Sequence, residues 1–207
     1  RGRPGSDGAW RERLRGRWLI ADGGALMAEL PGGSGAADEV VVIVADEQDD
    51  VEVDLDRWSA LARAVLVDEG LVGELTLTFV DRDDIAALNA EHMGVQGPTD
   101  VLSFPLDADL DPADAPVAGV PLLLGDVVIC PAVAADAAPT HAGSLDDELA
   151  LLVVHGVLHV LGHDHTGSDD TEQMQARELH HLEGWHWRGP RPAGFALTHA
   201  DHGHPDH

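Results

Sequence analysis

The 207-residue chain contains no lysine and no tyrosine, only three phenylalanines and a single cysteine. One cysteine excludes an internal disulfide, which fits a reducing compartment and leads us to expect a cytoplasmic protein. No apolar run reaches the roughly 20 residues needed to span a bilayer. The arginine-rich start has no apolar core of signal-peptide length. Neither a membrane role nor export is expected. Positive charge is scarce too: 38 acidic residues face 12 arginines, for a formal net charge of −26. Six of those arginines fall in residues 1–17, so residues 28–207 hold 35 acids against 6 arginines. A protein that grips nucleic acid unaided presents a basic face. This chain must keep a local patch inside an acidic field, dock through a partner, or carry its acidity as a device for solubility alone.

The length suits one domain with a substantial core, and composition divides the chain in three. Residues 1–39, with alternating arginines, Gly-Gly pairs and Pro31, read as a disordered or over-extended leader, with a basic RNA-binding arm as the alternative. Residues 40–187 carry the periodic patterns of a fold. Residues 188–207, rich in Pro and Gly and ending in His199, His202, His204 and His207, read as a disordered tail.

Within the central part, Val40–Ala45 is β-branched and reads as a strand. Asp54 is placed to cap a helix whose stripe is Trp58, Leu61, Val65 and Leu66. Residues 74–80 form the next strand, with Leu75, Leu77 and Phe79 on one face. A helix follows over 81–92 with Ile85 and Leu88 inward, then a loop, a short strand at 101–104 and an exposed Asp/Pro-rich loop at 107–119. Residues 122–130 read as a central strand, and Pro131 suits the first turn of a helix. Ser144 and Asp147 resemble a capping box for a helix reaching about Leu161. A last helix covers 169–183, with Met174 and Leu182 inward. This order indicates an α+β fold.

The most informative stretch is His155-Gly156-Val157-Leu158-His159-Val160-Leu161-Gly162-His163-Asp164-His165. His155 and His159 are four apart and share one helix face. Gly162 ends the helix, which lets His165 fold back toward the same point. Three imidazoles suit Zn²⁺ with a fourth position open, the arrangement of a catalytic site. The approach, Leu149–Val154, is apolar on every side, and burying imidazoles there without a shared partner is costly. His163 is expected to face solvent or a neighbour, and Asp164 to orient an imidazole. The spacing matches a long metalloprotease signature, except that the glutamate base after the first histidine is replaced by Gly156. Ordinary proteolysis is therefore not expected. Gly156 is instead expected to leave room beside the metal for a bulky substrate.

The same stretch, with Gly97-Pro98-Thr99-Asp100-Val101-Leu102-Ser103-Phe104-Pro105 and Leu124-Gly125-Asp126-Val127-Val128-Ile129, resembles the YbeY rRNA maturation factors, bacterial metal-dependent endoribonucleases. The resemblance covers about residues 40–187. It implies a four-stranded mixed sheet covered by helices and one zinc held by His155, His159 and His165. It also implies cleavage of single-stranded RNA in 16S rRNA 3′-end maturation and ribosome quality control. Ribosomal RNA and the small ribosomal subunit are the implied partners, with a ribosomal protein as a further candidate and DNA not expected. Many relatives carry an arginine where this chain has Met93.

Zinc in such a site acidifies bound water and polarises a phosphoryl oxygen; the attacking group is either that water or the ribose 2′-hydroxyl. Asp164 and Asp126 are the candidate bases. Thr99 and Ser103 are candidate phosphate contacts, and Phe104 is either a core residue or a stacking platform. Two other classes stay open: a metalloprotease-like hydrolase that recruits its base from elsewhere, and a non-catalytic ribosome assembly factor with a structural zinc.

Overall fold

Strand β1 (Val40–Asp46) leads through helix α1 (Leu55–Asp68) to β2 (Gly73–Phe79), and both strands run the same way. The computed structural model describes residues 39–106, 122–163 and 168–197. The loop expected at 107–119, the leader to residue 38, Asp164, His165 and the four tail histidines lie outside the described residues. After β2 come α2 (Arg82–Leu88), β3 (Val101–Pro105), β4 (Leu123–Ile129), α3 (Pro131–Ala137), α4 (Leu145–Val160) and α5 (Ser168–His181). The sheet order is β1-β2-β4-β3, with β2 and β4 parallel and β3 antiparallel to β4. This is the mixed four-stranded sheet of an α+β fold.

Local chemistry sets the ends of these elements. Asp54 and Asp81 each cap the following helix by accepting the backbone N–H three residues on. Helix α2 is shorter than the periodicity suggests, because the backbone loosens into a π-type turn at Asn89–Met93 that ends on Gly94. The last helix ends alike, in a π-type turn at Leu182–His186. Ser144 accepts the Asp147 N–H at 3.1 Å and donates its hydroxyl to the Asp147 carboxylate at 2.7 Å. That carboxylate also accepts from Trp187 Nε1 at 2.6 Å and His186 Nε2 at 2.9 Å, which ties the start of α4 to the end of the domain.

The expected inward residues are inward. Trp58, Leu61, Val65 and Leu66 of α1 join Leu75, Leu77 and Phe79 of β2, Val127 and Ile129 of β4, and nearly the whole of α4 in one core. Met174 and Leu182 belong to it as well. At the start of the sequence's Pro/Gly-rich tail, residues 190–194 are exposed, while Phe195 and Leu197 pack on this core. Phe195 is buried and meets Trp187 edge-on at 4.8 Å between ring centroids.

Helix α4 lies on the sheet face formed by Val101, Ser103 and Val127, and Gly156 is its point of closest approach. A Cβ there would stand 2.5 Å from Val127 Cγ1 and 3.3 Å from Ser103 Oγ. Across the contact, Ser103 donates its hydroxyl to the Gly156 carbonyl at 3.1 Å. Val127 is β-branched, fully buried and on a central strand, so it has little freedom to yield.

Gly156→Ala should therefore destabilise the protein. The gain in helix propensity, about 1 kcal/mol, is outweighed by overpacking of about 1–3 kcal/mol, and the urea midpoint is expected to fall. A raised midpoint would show that the sheet gives way freely.

Asp147 supplies a pH-dependent test. Burial opposes its ionisation, but hydrogen bonds from Ser144, Trp187 and His186 outweigh burial and hold the carboxyl below its ordinary value of 3.8. A depressed folded-state pKa stabilises the fold above the unfolded value, and that stabilisation is lost as pH falls through the folded one. Asp147→Asn should cost about 1–2 kcal/mol near neutrality. Its difference from the parent should shrink below pH 3.8 in urea titrations at stepped pH. An undiminished difference in acid would assign the loss to packing rather than to charge.

Candidate metal centre

The C-terminal half of α4 is so apolar that its two histidines are its only chemistry. Residues 149–158 are buried without exception, and His155 among them is 7% exposed. One turn on, His159 is half-buried. The two rings meet edge-on, 77° apart in plane and 4.4 Å between centroids. The sequence placed them on one face, and the structure brings them together there.

What orients His155 comes from α5. Its Nδ1–H is donated to Glu178 Oε1 at 2.6 Å, and the Glu178 carboxylate is completely buried. A carboxylate so deep is tolerated only when paired. The pairing commits the Nδ1 proton, the arrangement in which Nε2 is the ligand atom of a metal-bound imidazole. A buried carboxylate behind an imidazole is the usual support of a metal-binding histidine, so the described residues fit a bound divalent ion. Glu178 escaped the sequence reading. The signal available was its place on the apolar stripe of α5, where Met174, Glu178 and His181 are buried, as is Leu182 just beyond. A charged residue at such a position requires a partner.

The helix ends as the glycine suggests. Gly162 adopts φ +82°, donates its N–H to the His159 carbonyl at 3.0 Å, and is followed by a His163 N–H bond to the Leu158 carbonyl at 3.1 Å. This paired closure reverses the chain just beyond the histidines. His163 is partly exposed with Nε2 3.8 Å from Glu69 Oε2. Burial and then the nearby Arg177 charge push its pKa below the ordinary 6.5.

The other candidate residues are placed differently. Asp126 is buried on β4, in register with Thr76 and Phe104, and its neighbour Val127 is the residue that touches α4. Successive strand residues face opposite ways, so Asp126 lies on the sheet face away from the histidine pair. Ser103 is on the α4 face, but its hydroxyl proton goes to Gly156. Thr99 is buried and donates to Asp100 Oδ1 at 3.2 Å. Phe104 is 3% exposed and makes an edge contact with His92, a core position. Gly156, expected to leave room beside a metal, instead faces the sheet and makes room for Val127. A glutamate there could not serve as a base at the metal without displacing the strand.

Among the described residues a second group could also hold a metal ion: Asp68, His180 and His181, with ligand atoms all within 4.8 Å of one another.

Glu178→Gln keeps an acceptor for His155 but removes the charge. It should weaken zinc binding by about 10–100-fold in competition with a chromophoric chelator, with the circular dichroism spectrum unchanged. Parental affinity in this variant would deny Glu178 its orienting role.

The sequence profile of the family described as Endoribonuclease YbeY matches residues 43–186. The chain is 46% identical over 140 residues to Endoribonuclease YbeY of Salinispora tropica, covering 65% of this chain and 89% of that protein. Against the Nocardia farcinica protein of the same name it is 43% identical over 141 residues, covering 66% and 76%. A solution structure of TM1509 from Thermotoga maritima aligns at 22% identity with a TM-score of 0.48, over 71% of this chain and 93% of that one. The matched segment holds β2 to α5 whole, with the histidine pair and Glu178 inside it, and the chain belongs to the YbeY endoribonuclease family.

Proposed function

We propose that this chain is a zinc-dependent endoribonuclease that cuts single-stranded RNA, acting in 16S rRNA 3′-end maturation and ribosome quality control in the cytoplasm. The observation that carries the proposal is the buried Glu178–His155 pair beside His159, on a chain that matches the family through this segment. His155 and His159 would hold the ion with His165, the next histidine beyond the Gly162 turn. A zinc ion there supplies an acidified water and a Lewis acid for a phosphoryl oxygen. Glu178 holds the His155 ring and its proton in place, and the apolar wall of α4 keeps bulk water from that ring. Asp164 stands as the candidate proton acceptor. Asp126 does not, because it faces the other side of the sheet.

The charge distribution supports docking through a partner over a free-standing grip on RNA. Of the arginines described, Arg57 is paired with Asp146, Arg82 with Asp136 and Arg177 with Glu69. Met93, where relatives carry arginine, is half-buried and brings no charge to a developing phosphorane. A small-subunit protein that presents the rRNA end would supply the missing attraction.

The test is cleavage of a single-stranded RNA spanning the 16S 3′ end by protein of measured zinc content, with His159→Ala and Asp164→Asn beside it. Cutting is expected to fall by more than 100-fold in His159→Ala and by about 10²–10⁴-fold in Asp164→Asn if Asp164 is the base. Zinc-loaded protein that cuts no RNA, alone or with small subunits, would overturn the nuclease in favour of an assembly factor. Cutting of a peptide in place of RNA would favour the protease-like reading.

A further inference from the structure

The last turns of α1 and α5 meet at a second cluster of donors. Asp68 Oδ2 lies 2.8 Å from His180 Nε2 and 3.4 Å from His181 Nδ1. The His180 and His181 rings are 5.1 Å apart between centroids and 70° apart in plane. His180 is well exposed, whereas His181 is completely buried. The orientation of His181 is the telling detail. Its Nε2–H is donated to Glu69 Oε1 at 2.8 Å, and Glu69 accepts from Arg177 as well. Burial opposes ionisation of Glu69, but bonds from His181 and Arg177 prevail and keep it below the ordinary carboxyl range. The buried Nδ1 makes no hydrogen bond and lies 3.4 Å from Asp68 Oδ2, the oxygen that also pairs with His180 Nε2 at 2.8 Å.

A buried imidazole nitrogen facing a carboxylate calls for a positive charge between them, either a proton on the nitrogen or a metal ion. Their 3.4 Å separation is close to the spacing of about 3.3 Å between ligands of a tetrahedral ion with bonds of 2.0–2.1 Å. Two imidazoles and one carboxylate select a transition ion such as Zn²⁺, Co²⁺ or Ni²⁺ over Ca²⁺ or Mg²⁺. Glu69 stands behind His181 as Glu178 stands behind His155.

We infer that Asp68, His180 and His181 form a second transition-metal site, separate from the motif histidines, that staples the end of α1 to the end of α5. Three residues before His181, the same helix carries Glu178. An ion in the staple would hold in place the helix that orients His155. The inference stands whether or not the chain cuts RNA.

The experiment counts ions. The full chain, His180→Ala and Asp68→Asn are dialysed against micromolar Zn²⁺, the bound metal is measured, and thermal midpoints are recorded with and without the ion. His180 is exposed, so its replacement should leave the fold intact. Each variant should bind one ion fewer per chain than the parent and lose part of the zinc-dependent rise in midpoint. The four tail histidines are present in all three proteins and drop out of the comparison. A parental ion count in His180→Ala, with the full rise retained, would overturn the site and leave a buried imidazolium held by Asp68 and Glu69. Loss in His180→Ala but not in Asp68→Asn would overturn the ligand set.

Discussion

The buried hydrogen bond between Glu178 and His155 is the contact to which the candidate site is tied. It links the most apolar helix of the domain to its most polar one. A carboxylate removed from water is tolerable only in company, so α5 cannot shift along α4 without exposing an unpaired charge to the core. Met174 and Leu182 give α5 an apolar footing on either side of Glu178. At the sheet, Gly156 sets the height of α4 and Ser103 clasps its backbone. The placement of His155 is thus settled by packing on one side and by charge on the other.

Much of the fold was legible from pattern alone. Period-two alternation of apolar residues marked β2, although Thr78 on its other face is buried too, and the stripe Trp58–Leu66 marked α1, which buries a single face. The capping serine and aspartates announced helix starts, since orphan N–H groups there require an acceptor. The histidine pair was legible for the same local reason: a spacing of four is one helical turn. Glu178 was hidden because its partner lies 23 residues away on another helix, and no local period connects them. Asp126 misled because adjacency to a motif glycine says nothing about which sheet face a side chain takes. That is decided by register, here with a shift between Glu74 and Leu75. Gly156 misled in the opposite sense: a missing side chain was read as space for substrate, when the strand had already filled it.

The acidic surface and the site answer to different constraints. Formal charge repels polyanions over a distance of about one Debye length, roughly 8–10 Å at physiological salt. A paired arginine contributes little field, and three of the described arginines are paired with carboxylates. The field bears on the approach of a polyanion, which suits the proposed partner that delivers the RNA.

The depth of His155 has a steric consequence. Helix α4 is buried from Glu148 to Leu158, and the first part-exposed residue beyond His155 is His159. A duplex is a stiff cylinder whose phosphates stay on its outer radius, so it is poorly shaped to reach an imidazole as deep as His155. A single strand can bend one phosphodiester inward while its neighbours remain outside. For the proposed nuclease, discrimination between strand states would then follow from the depth of His155.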